Sequence, residues 1–322
     1  MTTLAPIVLF VYNRPDHTRE TLRSLAQNTL AKKSELFVFS DAAKNDTAQD
    51  AVAEVRHLCN SIPGFDSVHL TMREKNFGLA KSVISGVTDV IEKYGKVIVL
   101  EDDLVTTPRF LEYMNNALNH YAPDSKAFSI GGYQFPGHSM QIPKSYSYDT
   151  YAAYRCCSWG WATWLDRWKR IDWDMQYMEK FRSSKKQQAD FNRGGPEMSL
   201  LLFNQEIGII DSWAIRFCYA HFAHQMHCIY PRKTLVNNIG LDGSGVHSGV
   251  DPRRQHNDID NAWLPEKFCP AALVDKKIVK DFRLLFTPQA QPSAGNILLR
   301  AVRYSLRVLK RIVFLVISHR TK

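Results

Sequence analysis

The chain has 322 residues, of which 45% are hydrophobic and 23% are charged, as in soluble globular proteins. Its formal charge of +9 does not indicate nucleic-acid binding, because residues 293–322 contain seven Lys and Arg and no acid. The six cysteines form no CxxC pair and the start has no secretory signal, so we expect reduced thiols in the cytoplasm. No stretch reaches the roughly 18 apolar residues that a membrane span needs.

The first 120 residues alternate between short apolar runs and helical patterns. The apolar runs predict strands at 6–12, 35–41, 67–72 and 96–100. The helical patterns follow at 14–28, 47–60, 78–95 and 109–121. Buried strands that alternate with helices are typical of a parallel sheet covered on both faces, so we predict the α/β class.

The pattern changes after about residue 125, where the sequence becomes mixed and rich in aromatic residues. We predict strands near 127–135, 145–151 and 228–231, and a helix over 211–226. Residues 240–270 are dominated by Gly, Pro and charge, and predict a long mobile loop.

Three adjacent carboxylates, Glu101, Asp102 and Asp103, follow the most apolar strand. Ligands of open parallel sheets bind beyond the carboxyl ends of the strands. Such carboxylates fit Mg²⁺ or Mn²⁺, which complete their shell with phosphate oxygens and water. A solvated acidic loop, or acids near the start of the helix at Pro108, would explain them equally well.

Polar residues also follow the other predicted strands, at the same edge. They are Asn13 and Arg14 after the first strand, Asp41 after the second, and Arg73 and Asn76 after the third. Each alone also fits a turn, a cap or a surface position, but four coincident strand ends predict one polar site. Neither GxxxxGK[ST] nor GxGxxG is present, which disfavours P-loop enzymes and dinucleotide oxidoreductases.

Four segments in this order resemble the nucleotide-sugar half of a GT-A glycosyltransferase: FVYNRPDHTRETLRSL, FVFSDAA, REKNFGLAKSV and VIVLEDDL. EDD, as a form of the DxD motif, and the later CSWGWATW resemble the inverting N-acetylglucosaminyltransferase I family and its bacterial relatives. The resemblance implies the GT-A (nucleotide-diphospho-sugar transferase) fold, with a mostly parallel, twisted central sheet flanked by helices. It also implies a nucleotide-sugar-binding half at 1–125 and an acceptor-binding, catalytic half at 126–292 of the same domain.

The resemblance assigns roles to the carboxylates. It implies that Asp103 ligates Mn²⁺ or Mg²⁺ on the diphosphate of a UDP-sugar, that Asp102 lies near the ribose, and that Glu101 lies near the donor sugar. It places Arg14 against the nucleotide and phosphates, and Asp41 against the imide of uracil. The remaining donor-binding candidates are Asn13, Asn76 and Lys81.

Asp211, in IIDSWAIRF, aligns with the catalytic base of that family. An inverting transfer needs a carboxylate that deprotonates the acceptor hydroxyl, and the preceding apolar residues could raise the pKa of this one. Alternatively, Asp211 only caps the helix that follows. Asp172, Asp174 and Glu206 are weaker candidates for the base.

Trp159 and Trp161 are candidates for the wall of a sugar pocket, with a place in the core as the alternative. His247, in GSGVHSG, could close over the diphosphate or complete the metal shell, or it could be an ordinary loop histidine. His221, His224 and His227 are spaced by three residues without a thiolate pattern, and we interpret them as structural.

Five basic residues of segment 293–322 fall within one arc of a helix, opposite an apolar side: Arg300, Arg303, Arg307, Lys310 and Arg311. This pattern predicts an amphipathic helix over 297–317 that lies on an anionic membrane surface, or else packs on protein. We therefore expect a transferase at the inner face of the plasma membrane that uses a glycan or lipid-linked glycan acceptor in making cell-surface polysaccharide, without nucleic acid. The alternatives are a sugar nucleotidyltransferase, which the missing Gly-rich loop disfavours, and a catalytically silent, membrane-associated glycan-binding protein.

Overall fold

Strands and helices alternate along the first half of the chain, as the apolar runs predict. The computed structural model describes residues 3–243 and 259–287. The strands of this part are β1 (Ile7–Val11), β2 (Glu35–Ser40), β3 (Ser67–Met72), β4 (Lys96–Glu101), β5 (Leu104–Thr106), β6 (Ala127–Gly131), β7 (Thr150–Ala153), β8 (Trp161–Trp164), β9 (His227–Pro231) and β10 (Val236–Asn238).

The α-helices differ in length, from 4 residues in α5 to 16 in α3. They are α1 (Pro15–Ala26), α2 (Gln49–Cys59), α3 (Leu79–Tyr94), α4 (Phe110–Tyr121), α5 (Leu165–Trp168), α6 (Met178–Ser183), α7 (Lys185–Phe191), α8 (Met198–Glu206), α9 (Trp213–Ala223) and α10 (Lys276–Leu285). Among the described residues, none of these helices is long and apolar enough to cross a membrane.

One eight-stranded sheet runs through the molecule in the order β3-β2-β1-β4-β8-β6-β9-β7. The pairings show that β8 and β7 run opposite to the other six strands. The prediction of an α/β fold with a mostly parallel central sheet flanked by helices is therefore confirmed. A second, two-stranded sheet joins β5 to β10 in antiparallel fashion.

The two faces of β1 contact different helices, because successive strand residues point to opposite sides. Ile7, Leu9 and Val11 pack in a cluster with residues of α1, α2 and α4. Val8 and Phe10 pack in another cluster with residues of α3 and α9. All five residues of β1 are buried, so this strand lies in the middle of a three-layered core.

The carboxyl ends of β1, β2 and β4 lie at one edge of the large sheet, which we call the carboxyl edge. β8 begins at this edge, where Trp161 pairs with Val99 of β4. β9 runs in the same direction as β4, so the preceding helix α9 also begins near the carboxyl edge. The small sheet brings the residues after β10 to the same place, because β5 directly follows the carboxylates of β4.

Two predicted elements differ from the structure. The strand expected at 145–151 forms at Thr150–Ala153, because the amides of Tyr146 and Asp149 donate to the Pro143 and Lys267 carbonyls, which lie outside the sheet. The aromatic segment at 161–164 is a strand between β4 and β6, a position that its sequence did not indicate. His247 and the predicted amphipathic helix over 297–317 lie outside the described residues.

Candidate active site at the carboxyl edge

The backbone of the acidic cluster is held by two other elements. Glu101 ends β4 beside Phe10, and Asp102 and Asp103 follow it with only 4% and 8% of their surfaces exposed. The hydroxyl of Thr21 in α1 donates to the Asp102 carbonyl at 2.9 Å, and the Ile239 amide donates to the Asp103 carbonyl at 2.9 Å. Helix α1 and the segment after β10 therefore fix the position of the carboxylates.

Arg14 lies between two of these carboxylates. Its Nη2 donates to Asp102 Oδ1 and, at 2.9 Å, to Asp103 Oδ2. The second oxygen of Asp102 accepts from the Tyr12 amide at 3.2 Å. The guanidinium of Arg14 thus supplies part of the positive charge that the acidic cluster was predicted to receive from a metal ion.

Burial and mutual repulsion shift the titration of the cluster. Burial, then the charges of Asp103 and Asp102, raise the pKa of Glu101 to about 8, and Arg14 opposes this. Burial also raises the pKa of Asp102 to about 6, against the opposing charge of Arg14. One guanidinium is therefore too little positive charge for three carboxylates, and a bound cation would stabilise their ionised forms.

The donor set fits a hard divalent cation at Asp103. Both oxygens of Asp102 are engaged, whereas no hydrogen bond reaches Asp103 Oδ1 from the described part of the chain. Within residues 3–243 and 259–287, no three His, Cys, Asp or Glu side chains are placed to hold a metal together. An ion at Asp103 would thus take most of its ligands from phosphate and water, as Mg²⁺ commonly does.

Gly240 completes this site, and sequence reasoning missed it. A Cβ at this position would collide with Asp103 Oδ2 and would lie 2.8 Å from Arg14 Nη1. The Gly240 amide donates to Asn238 Oδ1 at 2.8 Å, and nearby Asp242 lies 3.3 Å from His17 Nε2. The Gly-rich composition after residue 240 was the only signal in the sequence, and it does not show which residue the backbone approaches.

Asp41 and Asn76 join the loops that follow β2 and β3. The buried carboxylate of Asp41 accepts from the amides of Phe77, at 2.8 Å, and Gly78, at 2.9 Å. Asn76 Nδ2 donates to the Ala42 carbonyl at 2.7 Å. Both side chains thus shape the part of the carboxyl edge beside β2, and the contact of Asp41 with uracil stays a prediction.

The other predicted donor-binding residues lie nearby, with fewer contacts. The ammonium of Lys81 is exposed, 4.2 Å from the centre of the Phe77 ring, and the guanidinium of Arg73 lies 4.2 Å from the same centre. Asn13 is half-buried in the turn between β1 and α1. Two cations thus contact one ring at the carboxyl edge.

The two tryptophans have different positions. Trp161 is 1% exposed and stacks on Trp213 with ring centres 5.0 Å apart, so its position supports the core alternative rather than the sugar pocket. Trp159 is partly buried, and its ring meets Tyr133 edge-on at 4.5 Å. Of the pair, only Trp159 can offer surface to a ligand here.

Asp211 is placed at the start of α9 but does not cap it. Ser212 is the cap, since its side chain accepts from the Ile215 amide at 3.4 Å. The Asp211 side chain is 68% exposed, so the preceding apolar residues do not enclose it, and Oδ1 lies 3.5 Å from Arg216 Nη2. Trp213 stacks on Trp161 at the start of β8, which brings this turn near the carboxyl edge.

Two of the three alternative bases have structural partners. Asp172 accepts from the amides of Asp174 and Gln176, and Glu206 forms an ion pair with Arg182. His221 is enclosed, with Nε2 2.7 Å from Ser129 Oγ and Nδ1 2.8 Å from the Phe217 carbonyl. Among the four candidate bases, these contacts leave the exposed carboxylates of Asp211 and Asp174, and of the two only Asp211 lies at the start of α9.

Comparison with known protein families finds one match. Residues 7–188, more than half of the chain, match Glycosyl transferase family 2. No curated protein sequence matches the chain significantly.

Solved structures with a related shape include S. aureus TarS (residues 1–349), at 12% identity and TM-score 0.41 over 72% of this chain and 59% of that one. A second S. aureus TarS structure has 13% identity and TM-score 0.38, over 72% of this chain and 36% of that one. The mannosyltransferase PcManGT from Pyrobaculum calidifontis, in complex with GDP-Man and Mn²⁺, has 12% identity and TM-score 0.36, over 69% of this chain and 75% of that one. The chain thus spans less than two thirds of either TarS structure.

Proposed function

Because the chain belongs to glycosyl transferase family 2, we propose that it transfers a sugar from a UDP-sugar to a glycan acceptor, with Mn²⁺ or Mg²⁺ and with inversion at the anomeric carbon. Inversion and the UDP donor are supported by the resemblance of EDD and CSWGWATW to the N-acetylglucosaminyltransferase I family and its bacterial relatives. A hexose or an N-acetylhexosamine is the sugar to be transferred.

One observation supports the proposal above the others, namely the pair of buried carboxylates bridged by Arg14. Arg14 Nη1 is buried and has no hydrogen-bond acceptor within residues 3–243 and 259–287. A buried guanidinium nitrogen without an acceptor is costly, and a phosphate oxygen of the donor would provide that acceptor. The same residues therefore fit an anionic nucleotide and a divalent cation side by side.

The roles follow from this arrangement. Asp103 would hold the cation, which when bound stabilises the negative charge of the departing diphosphate. Asp102 would orient the ribose and Arg14 the phosphates, while Glu101 would face the donor sugar. The nucleotide itself would contact Asn13, Asp41, Asn76 and Lys81, and Trp159 would line the sugar pocket.

Asp211 would remove the proton from the attacking hydroxyl of the acceptor. Its exposure supports this role, because an acceptor must reach the base from solvent. A positioned base contributes on the order of 10²–10⁴ in rate. Arg216 would orient the carboxylate, since its guanidinium lies 3.5 Å from Asp211 Oδ1.

The setting of the reaction belongs to the same proposal. A lipid-linked acceptor, synthesis of cell-surface polysaccharide and attachment of residues 297–317 to the inner face of the plasma membrane are supported by the basic amphipathic pattern of that segment. His247 would approach the diphosphate from the loop that follows Gly240.

The first experiment is a thermal-shift screen of nucleotide sugars with Mn²⁺ and then with EDTA. We expect a UDP-sugar to raise the melting temperature only with the metal. Asp103→Asn should abolish this shift and the turnover. Asp211→Asn should keep the shift and lower turnover by about 10²–10⁴-fold.

Asp50→Asn, at an exposed position on α2, is the matched control and should behave as wild type. Absence of a metal-dependent shift with every UDP-sugar would refute the proposal. A UDP-sugar shift without transfer to any glycan would instead favour the catalytically silent binding protein.

A further inference from the structure

A groove of about 870 Å³ runs along one face of α9, away from the acidic cluster. The helix lines it with Arg216 and with residues 219–223, and Arg216, Tyr219, Ala220 and Ala223 share one side over two turns. Six cations line the groove against two carboxylates, Asp172 and Asp190. The cations are Lys126, Arg170, Lys180, Lys186, Arg193 and Arg216.

One end of the groove lies beside the proposed catalytic base. Arg216 is in the first turn of α9, and its Nη2 lies 3.5 Å from Asp211 Oδ1. The other end is at Lys126 and His227, where β6 and β9 begin, at the edge of the sheet opposite to Glu101. From Arg216 to Ala223 alone, the helix rises by about 10 Å. The groove is thus a track that leads away from Asp211.

Three of the six cations, Lys126, Lys180 and Arg193, form no ion pair within the described residues. Lys186 pairs with Asp190 at 2.9 Å, Arg170 lies 3.8 Å from Asp166, and Arg216 lies 3.5 Å from Asp211. The ammonium of Lys126 donates to the Gln225 carbonyl at 3.4 Å. Arg193 donates to the Asp190 carbonyl and to the Tyr154 hydroxyl. A concave surface with such an excess of one charge concentrates ions of the opposite sign.

Aromatic rings form part of the wall, and one of them carries an unused polar group. Tyr177 and Tyr219 stack with ring centres 3.6 Å apart. The Tyr177 hydroxyl is buried and has no hydrogen-bond partner among the described residues. A buried hydroxyl without a partner is uncommon, and a ligand in the groove would provide one. Aromatic faces next to cations suit a sugar chain that also carries negative charge.

We propose that this groove binds a negatively charged segment of the glycan acceptor, with carboxylate or phosphate groups, and leads its end toward Asp211. That the bound glycan is the acceptor rests on the proposed function, whereas the binding of an anionic glycan to the groove does not. A concave groove with aromatic walls fits a single chain, while a bilayer surface is too broad to enter it.

The test measures binding to the full chain by calorimetry at about 0.15 M salt, where long-range attraction is largely screened. The probes are an oligogalacturonate, an oligo(glycerol phosphate) and a neutral malto-oligosaccharide of equal length. The groove variant is Lys180→Glu with Arg193→Glu, and the control is Lys32→Glu with Lys93→Glu, all at exposed positions. The basic tail is present in every protein and cancels from the comparison.

We expect at least one anionic oligomer to bind wild type more tightly than the neutral one. The groove variant should weaken this binding at least tenfold, and the control by less than twofold. Tyr177→Phe, which removes only the unpartnered hydroxyl, should weaken it severalfold with an unchanged melting temperature. The two oligomers show whether carboxylate or phosphate is preferred.

Equal losses in the groove and control variants would overturn the proposal, as would equal binding of the neutral and anionic oligomers. A loss limited to phosphatidylglycerol vesicles, with oligomer binding unchanged, would make the groove a membrane contact instead. Stabilisation by UDP-sugar and Mn²⁺ is measured on the same variants and should not change. If that stabilisation is absent throughout, the proposed function fails while the groove remains testable.

Discussion

Arg14 explains how two adjacent aspartates can be nearly buried. Its guanidinium donates to both Asp102 and Asp103, and α1, which begins at the next residue, fixes its backbone. The acidic cluster is therefore a network of three side chains rather than a row of acids. Removing one member of such a network leaves the others buried with an unbalanced charge.

Gly240→Ala tests how closely the segment after β10 must approach this network. The added Cβ would overlap Asp103 Oδ2, so the carboxylate or the segment must move. We expect affinity for UDP and Mn²⁺ to fall tenfold or more, and stability to fall by about 1–3 kcal/mol. Calorimetry and denaturant unfolding measure the two effects.

Gly137→Ala is the matched control, because nothing lies within 4 Å of a Cβ there. It should change neither quantity measurably. If Gly240→Ala behaved like Gly137→Ala, the close approach of Gly240 to Asp103 would not matter for the donor site.

The sequence predicted the members of the site better than their contacts. The apolar run at 96–100 placed Glu101, Asp102 and Asp103 at a strand end, and the apolar run at 6–12 placed Arg14 at the same edge. The approach of Gly240 to Asp103 could not be predicted, because it depends on the pairing of β5 with β10. Local patterns carry no information on such distant pairings.

At the scale of elements, α9 connects the site to the core. Ser212 caps it near Asp211, Trp213 packs on Trp161, and Arg216 begins the groove. Further along, His221 joins α9 to β6 through Ser129. Movement of this helix would therefore displace the proposed base, the groove and part of the core together.

The contact of His221 with Ser129, between α9 and β6, makes the stability of the protein depend on pH. Burial lowers the pKa of His221 to about 3, below the ordinary value near 6.5. Between about pH 3 and 6.5, the folded protein therefore binds fewer protons than the unfolded chain does. Stability is then full above about pH 6.5 and falls as the pH drops toward about 3. From about pH 6.5 to 5 the loss should be roughly 2 kcal/mol.

His221→Leu should remove that part of the pH dependence, although it lowers stability at pH 7 by loss of the two hydrogen bonds. Denaturant unfolding of both proteins at several pH values gives the two slopes. Identical slopes between about pH 5 and 6.5 would contradict the assignment.

The elements of the first half were predicted more accurately than those of the second. Strand β3 and the left-handed Gly95 at the end of α3 agree with the predicted bounds, because short apolar runs and glycine stops are local signals. Strand β8 was missed, since WATW is short and aromatic and is buried on both faces. Its place between β4 and β6 depends on distant partners.

At the scale of the whole molecule, one sheet joins the two predicted halves. β4 belongs to the first half and pairs with β8 of the second. The Trp164 indole also donates to the Leu118 carbonyl of α4, at 3.1 Å. The predicted boundary near residue 125 therefore marks a change in sequence pattern, but the residues on its two sides pack in one continuous core.

A fragment of residues 1–125 tests this continuity. Without β8, one side of the apolar strand β4 is an unpaired edge, which favours aggregation. We expect the fragment to lack a cooperative thermal transition and to aggregate, and co-expression with residues 126–322 to restore solubility. A monomeric fragment with a cooperative transition would show that the first half folds alone.

The strand order also has a consequence for the growing chain on the ribosome. Strands β1 to β4 can pair among themselves once Glu101 has been made, whereas β6 needs β8 and β9 as neighbours. At about 5–20 residues per second, the roughly 100 residues from β6 to the end of β9 take about 5–20 s to synthesise. During that interval the nascent chain exposes the apolar segment AFSIG, and this is when a chaperone would be needed most.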